Sequence, residues 1–467
     1  MKRMVPWVVV LVVAAATFLA GVVVRNVRSR VTIDNRAWEA PRQFSPDLIP
    51  VTVYPEVMVS PAWVAENLVP GGIRLVDVRA EASYAAAHLP GAIRVAVDPS
   101  CAASGIACLH PRLGELGLSG QEQLVLYGGA EDFPALGRLY WLLEWAGFRR
   151  LRVLEGGVAA WQRRGGEMQT EIPALPPRSF TAVANADAVA DLEWMRDHFG
   201  LAGIEVLDLR DEGPWMETRY QAPPHFTAGH IPYSLPYDFR GWVTEGEGPE
   251  PEASWAMLFE LGPRVETHIR LNSEFVVYGR GPDDEQLGLA YLLLRRMGAT
   301  VRVFPGGWAA WSQESDCPVV RIVEPAEVAA YLERARTEDL PPLLMFDVRD
   351  ERSHHALRIP GSVNVPQYLL AASMEQTIAE RWPDIRRDQV PLMVYCYGRL
   401  CIRSREASNF AARSGFLDVW WLRDGFADWP MERISLEGTL AQKAAQAPPD
   451  RSPGRSAPPA RRDPGTE

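Results

Sequence analysis

Two cysteines set close together, Cys396 and Cys401, carry the strongest chemical signal in this chain. Cys396 stands where the apolar run Leu392-Met-Val-Tyr395 ends and a helical pattern through Ala407, Phe410 and Ala411 begins, closed by Gly415. That order reads as strand, loop and helix N-terminus. A thiol there is a candidate nucleophile, because loop N–H groups and the positive end of the helix dipole favour the thiolate. Tyr397, Gly398, Arg399, Leu400, Cys401, Ile402 and Arg403 follow it as candidate substrate contacts, with Arg399 and Arg403 supplying positive charge for an anion. Cys401 has two readings: it pairs with Cys396 or attacks what Cys396 carries, or it faces the core and does nothing.

The elements that must position this loop occur three times. The first copy runs through Leu75-Val-Asp77-Val-Arg79, His88-Leu-Pro-Gly91, the strand Leu124-Val-Leu-Tyr127, a helix ending at Gly147, and Glu155-Gly-Gly-Val-Ala-Ala-Trp161. The second has Val206-Leu-Asp208-Leu-Arg210, His230-Ile-Pro232, Phe275-Val-Val-Tyr278, a helix ending at Gly298, and Pro305-Gly-Gly-Trp-Ala-Ala-Trp311. The third has Phe346-Asp347-Val-Arg349, Ile359-Pro-Gly361, the cysteine loop, and Asp424-Gly-Phe-Ala-Asp-Trp429. The separations Gly128 to Gly147, Gly279 to Gly298 and Cys396 to Gly415 are equal. Strands alternating with helices point to an α/β fold with largely parallel sheets and short connections. In such sheets ligands sit outside the carboxyl ends of the strands, where Cys396 falls.

These motifs resemble the rhodanese family: the Asp-x-Arg strand end, the His-x-Pro-Gly turn, the cysteine loop after a strand tyrosine, and the Gly-Gly-x-x-x-Trp closure. The resemblance covers about Val59 to Glu437. It implies three tandem rhodanese-like domains, at 56–170, 180–320 and 322–437, and sulfur transfer through a cysteine persulfide where the cysteine is present. Gly128 and Gly279 occupy the cysteine position in the first two copies, so those are expected to be silent. Asp77, Arg79, Asp208, Arg210, His88, His230, Trp161, Trp311 and Trp429 are expected to hold the fold. In tandem rhodaneses an inactive domain commonly walls the active pocket, and the second copy is the nearest candidate.

The third copy departs from the family pattern. Its loop reads about two residues longer than the usual sulfurtransferase loop, and Arg358 stands where the other copies have histidine. Relatives with widened loops accept larger anions such as phosphate, with a cysteine followed by five residues and an arginine. Here six residues separate Cys396 from Arg403, so sulfur transfer is the expected chemistry. Its partners would be a small anionic sulfur donor and a thiol acceptor, and no cofactor or metal is called for. The opposing reading is a binding or redox-sensing module that uses the Cys396/Cys401 pair with little turnover.

Composition adds limits. The chain has 467 residues, 47% apolar and 23% charged, and a net charge of −11, which argues against nucleic-acid binding. Val5 to Val24 carry no charge and as a helix would span about 30 Å, enough to cross a bilayer. We read residues 1–25 as a transmembrane anchor, with a cleaved export signal as the alternative, and 26–55 as a tether. The body is expected outside the cytoplasm, as in a bacterial periplasm, although the flanking charges leave its cytoplasmic face open. Cys101 and Cys108 share a loop and Cys317 stands alone; each is either half of a bridge or a free apolar side chain. The stretch 438–467, rich in Ala, Pro, Arg and Ser, reads as disordered.

Overall fold

The central strand of each repeat, Leu124–Tyr127, Phe275–Tyr278 or Leu392–Tyr395, is apolar and buried on both faces, which is the composition a parallel sheet covered by helices requires. The computed structural model describes residues 57–69, 71–96, 106, 109–210, 224–237, 239, 273–366, 370–398, 401–425 and 429–439. The expected anchor and tether, Cys101, Cys108, Arg399, Leu400 and the tail from 440 onward lie outside them. Among the described residues no helix is long and apolar enough to cross a membrane.

The first repeat comprises β1 (Met58–Val59), α1 (Pro61–Asn67), β2 (Ile73–Asp77), α2 (Glu81–Ala86), β3 (Ile93–Arg94), α3 (Leu109–Glu115), β4 (Gln123–Tyr127), α4 (Phe133–Ala146), β5 (Leu151–Leu154) and α5 (Gly157–Arg163). Its strands lie in the order β1-β5-β4-β2-β3, all parallel. The second repeat has α6 (Leu192–His198), β6 (Ile204–Asp208), β7 (Leu235–Pro236), β8 (Glu274–Tyr278), α7 (Gln286–Arg296), β9 (Thr300–Phe304) and α8 (Gly307–Trp311). Its parallel sheet runs β7-β6-β8-β9, with the fifth strand reduced to a bridge between Val189 and Val303. The third repeat has β10 (Val319–Ile322), α9 (Pro325–Arg334), β11 (Leu344–Asp347), α10 (Glu351–Ala356), β12 (Val363–Asn364), α11 (Leu370–Arg381), β13 (Leu392–Tyr395), α12 (Ile402–Arg413) and β14 (Asp418–Leu422). Its order, β10-β14-β13-β11-β12, repeats the first.

The recurring motifs do the same structural job in every copy. Asp77, Asp208 and Asp347 are fully buried, and each carboxylate receives the backbone N–H and the guanidinium of the arginine two residues on. The same guanidinium donates to a carbonyl further along, that of Ala87, Gly229 or Leu357. The hydroxyl of each strand tyrosine, Tyr127, Tyr278 or Tyr395, accepts the amide of the turn residue Leu89, Ile231 or Ile359 at 3.1–3.3 Å. Trp161, Trp311 and Trp429 are buried, and each donates its indole N–H to a carbonyl just downstream, that of Glu167, Pro318 or Ile434. Buried polar groups paired in this way stabilise a unique arrangement, since leaving one partner unmatched is costly. The expectation that these residues hold the fold agrees with this geometry.

The repeats do not join in equivalent ways. Helices α4 and α7 pack so closely that a Cβ on Gly137 would lie 2.6 Å from the Gly288 carbonyl oxygen. Arg295 pairs with Glu144 at 2.8 Å across the same contact. One apolar cluster therefore runs through both repeats, from Leu126 and Trp141 to Phe275 and Leu292. The equivalent helix of the third repeat, α12, turns instead to another side of the second. There Arg405 donates to the Ser234 carbonyl at 2.8 Å, the Tyr233 amide to Asn409 Oδ1 at 2.9 Å, and Arg413 to the Phe199 carbonyl. Burial at this junction lowers the Arg405 pKa to about 10, which leaves it charged at neutral pH.

Candidate active site

Strand β13 is buried throughout and lies between β11 and β14. Its last residue, Tyr395, is tied to the turn by the Ile359 amide and by Ser362 Oγ at 2.8 Å, so the next residue leaves the sheet at a fixed point. That residue is Cys396. Behind it the chain returns from β14 through Gly425, whose φ of +59° suits glycine. A Cβ on Gly425 would come within 2.6 Å of the Cys396 carbonyl oxygen. Gly157 and Gly307 back Gly128 and Gly279 in the same way, with φ of +55° and +56°. The closure motif thus has a glycine because the loop's first peptide rests on it.

The cysteine loop is closed by a disulfide between Cys396 and Cys401, with a Cα–Cα distance of 6.3 Å. Cys396 is 1% exposed. This corrects the expectation of an open thiolate held by converging amides. The sulfur is spent in the S–S bond, and the Cys401 amide is given to the Gly398 carbonyl at 2.9 Å. Gly398, at φ +154°, makes the turn. Helix α12 begins at Ile402, with Cys401 as its N-cap. The loop is consequently Cys396–Cys401, about two residues shorter than its sequence suggested, and the exposed Ile402 and Arg403 belong to the first helical turn. The sulfur bond also decides between the two readings of Cys401: it pairs.

Tyr397 is half exposed. Its hydroxyl donates to the Asp350 carboxylate and lies 2.7 Å from Ser353 Oγ. Those donors hold the Asp350 carboxyl well below the usual carboxylate range. The Arg349 guanidinium sits over the Tyr395 and Tyr397 rings, 5.6 and 5.7 Å from their centroids, a cation–π arrangement. Asp350 and Ser353 were not apparent from sequence as site residues. Asp350 caps α10 and accepts the Ser353 amide at 2.9 Å, and that Asp-x-x-Ser cap was the available signal. Behind the loop, buried Ser404 donates to the Cys401 carbonyl at 3.3 Å and accepts the Trp421 indole N–H at 3.0 Å. Arg358, in place of histidine, pairs with Glu437 at 3.3 Å.

The two cysteine-less loops are blocked as well as lacking sulfur. In the first, Asp132 Oδ2 accepts the Gly129 amide at 2.8 Å, and a Cβ on Gly128 would lie 2.9 Å from Asp132 Cβ. In the second, the Asp284 carboxylate takes the Arg280 and Gln286 amides at 3.0 and 3.1 Å, and a Cβ on Gly279 would collide with it. Loop amides that an anion would need are taken by the protein's own carboxylate in both repeats, and a carboxylate charge there would oppose a thiolate. Gly279→Cys in a Cys396→Ser background is therefore expected to give no transfer above background in a thiosulfate–cyanide assay. Activity within tenfold of wild type would contradict this.

Cys317 is a buried free thiol in the second repeat, where burial pushes its pKa up even though the Arg196 guanidinium lies 3.4 Å away. That makes it inert beside the loop pair. Among the described residues no group of three or more His, Cys, Asp or Glu side chains could hold a metal ion.

The third repeat is an all-parallel α/β unit that presents a cysteine loop beyond its central strand, and the other two repeats have glycine at that position. The sequence profile of the rhodanese-like domain matches residues 60–164, 191–314 and 324–432. The chain belongs to the rhodanese family and is a sulfurtransferase of rhodanese type. It is 26% identical over 274 residues to a thiosulfate sulfurtransferase of Pseudomonas aeruginosa, covering 56% of this chain and 96% of that protein. A 3-mercaptopyruvate sulfurtransferase of Escherichia coli is 26% identical over 277 residues, covering 55% and 95%. A sulfur carrier protein, TtuD, of Thermus thermophilus is 30% identical over 290 residues, covering 57% and 98%.

Proposed function

We propose that this protein is a membrane-tethered sulfurtransferase that carries sulfane sulfur as a persulfide on Cys396 after the Cys396–Cys401 bond is reduced. The observation that carries this is the position of Cys396 at the carboxyl end of β13, where the two other repeats have a glycine with Asp132 or Asp284 folded against it. The reduced thiolate attacks the outer sulfur of a small anion such as thiosulfate and expels sulfite, and a thiol acceptor then takes the sulfur. Arg403 and the N-terminus of α12 favour an anionic donor. The uncharged stretch Val5 to Val24 supports a membrane anchor, and a disulfide in the reactive loop supports a body outside the cytoplasm, in an oxidising compartment.

The test is intact mass after thiosulfate or 3-mercaptopyruvate is added to pre-reduced Cys401→Ser protein. We expect a gain of one sulfur, mapped to Cys396. Absence of any such adduct with both donors would sink the carrier reading. The disulfide itself favours a second reading, a redox-sensing module with little turnover; that reading expects no adduct and full biological function in a variant that cycles only between dithiol and disulfide.

A further inference from the structure

We propose that Cys401 is a resolving cysteine: it attacks the Cys396 persulfide, releases hydrosulfide, and leaves the Cys396–Cys401 disulfide as the enzyme's product state. This rests on the persulfide carrier reading above, and it adds an activity, donor reduction to sulfide at the expense of a dithiol.

The geometry has three parts. Cys401 already lies within bonding reach of Cys396, since the two are joined. It is the N-cap of a 12-residue helix, where the helix dipole stabilises a thiolate. Its own amide and carbonyl are held, by the Gly398 carbonyl at 2.9 Å and Ser404 Oγ at 3.3 Å, so its backbone stays at that place. Cys396 is 1% exposed in the disulfide, so the groove side of its sulfur is covered from within the loop. Attack from within the loop has the advantage of proximity.

The steps balance. Cys396 thiolate forms a bond to the outer sulfur of thiosulfate as the S–S bond to sulfite breaks. Cys401 thiolate then bonds to Cys396 Sγ of the protonated persulfide, and hydrosulfide leaves with the electron pair. The sulfane sulfur has been reduced to sulfide, and two thiols have been oxidised to a disulfide. An external dithiol, by two exchange steps, returns both cysteines to thiols and becomes a disulfide itself.

The experiment is a single turnover. Full-length protein is reduced, freed of reductant, and mixed with thiosulfate without an acceptor, and sulfide and intact mass are read together. Wild type is expected to release about one equivalent of sulfide per chain and to end with Cys396 bonded to Cys401. Cys401→Ser is expected to release less than about a tenth of that and to keep the persulfide; serine is a favoured N-cap, so α12 is retained. Cys401→Ala serves as the second variant. Wild type that holds a stable persulfide with Cys401 still a thiol would overturn the proposal while leaving the carrier reading intact. No persulfide on either variant would overturn both.

Discussion

Cys396→Ser is expected to remove sulfur transfer from the whole chain, with kcat/KM falling by roughly 10³-fold or more. The argument is chemical and structural together. Sulfur carried between donor and acceptor needs a side chain that forms and breaks S–S bonds, and a serine hydroxyl has neither the acidity nor the bonding partner for it. No other repeat could substitute, because the matching positions hold Gly128 and Gly279 with Asp132 and Asp284 folded over them. Serine is close to cysteine in size, and unchanged circular dichroism would separate lost chemistry from misfolding caused by the buried hydroxyl or the lost disulfide. The assay is thiosulfate-dependent thiocyanate formation with pre-reduced protein. Residual activity above a hundredth of wild type would mean that the carrier lies elsewhere.

Asp347→Ala is expected to destabilise the third repeat by about 3–5 kcal/mol, because it leaves a buried guanidinium without its counter-ion. Asp347 is fully buried and Arg349 is 4% exposed. The carboxylate takes the Arg349 side chain at 2.9 and 2.6 Å, the Arg349 amide at 3.0 Å, and His354 Nδ1 at 2.9 Å. Burial alone would push the Asp347 carboxyl up, yet hydrogen bonds from His354 and Arg349 outweigh it and the net direction is down. A carboxyl held lower in the folded chain than its unfolded value near ~4 contributes fully above that pH. The contribution is lost as pH falls towards the folded value. The gap between wild type and Asp347→Ala should accordingly stay constant from about pH 5 to 8 and narrow below about 4. Hydrogen exchange of the β11 and β13 peptides across a urea series reads this repeat separately from the others. A gap under about 1 kcal/mol at neutral pH would show that Arg349 finds another partner.

Both results bear on what the motifs mean. The Asp-x-Arg pair recurs with the same bonds in the repeats with and without the loop cysteine, so it marks the fold, whereas the chemistry proposed above rests on Cys396. The Tyr397 hydroxyl is held beside the loop by Asp350 and Ser353.

The sequence by itself determined the threefold repetition, the alternation of strand and helix, and the one repeat with sulfur at the loop. Those features are written in apolar periodicity and in short motifs whose bonds are mostly local, such as Arg349 to Asp347 two residues away. Only the tertiary structure decided that Cys401 is bonded to Cys396, because pairing depends on a 6.3 Å Cα separation that a loop sequence does not encode. It alone decided that α12 starts at Ile402, that Asp132 and Asp284 close the silent loops, and that α4 meets α7 while α12 meets Ser234 and Tyr233. Each of these rests on the packing of side chains and backbone in three dimensions, and the short motifs the three repeats share carry no local signal that says which surfaces join.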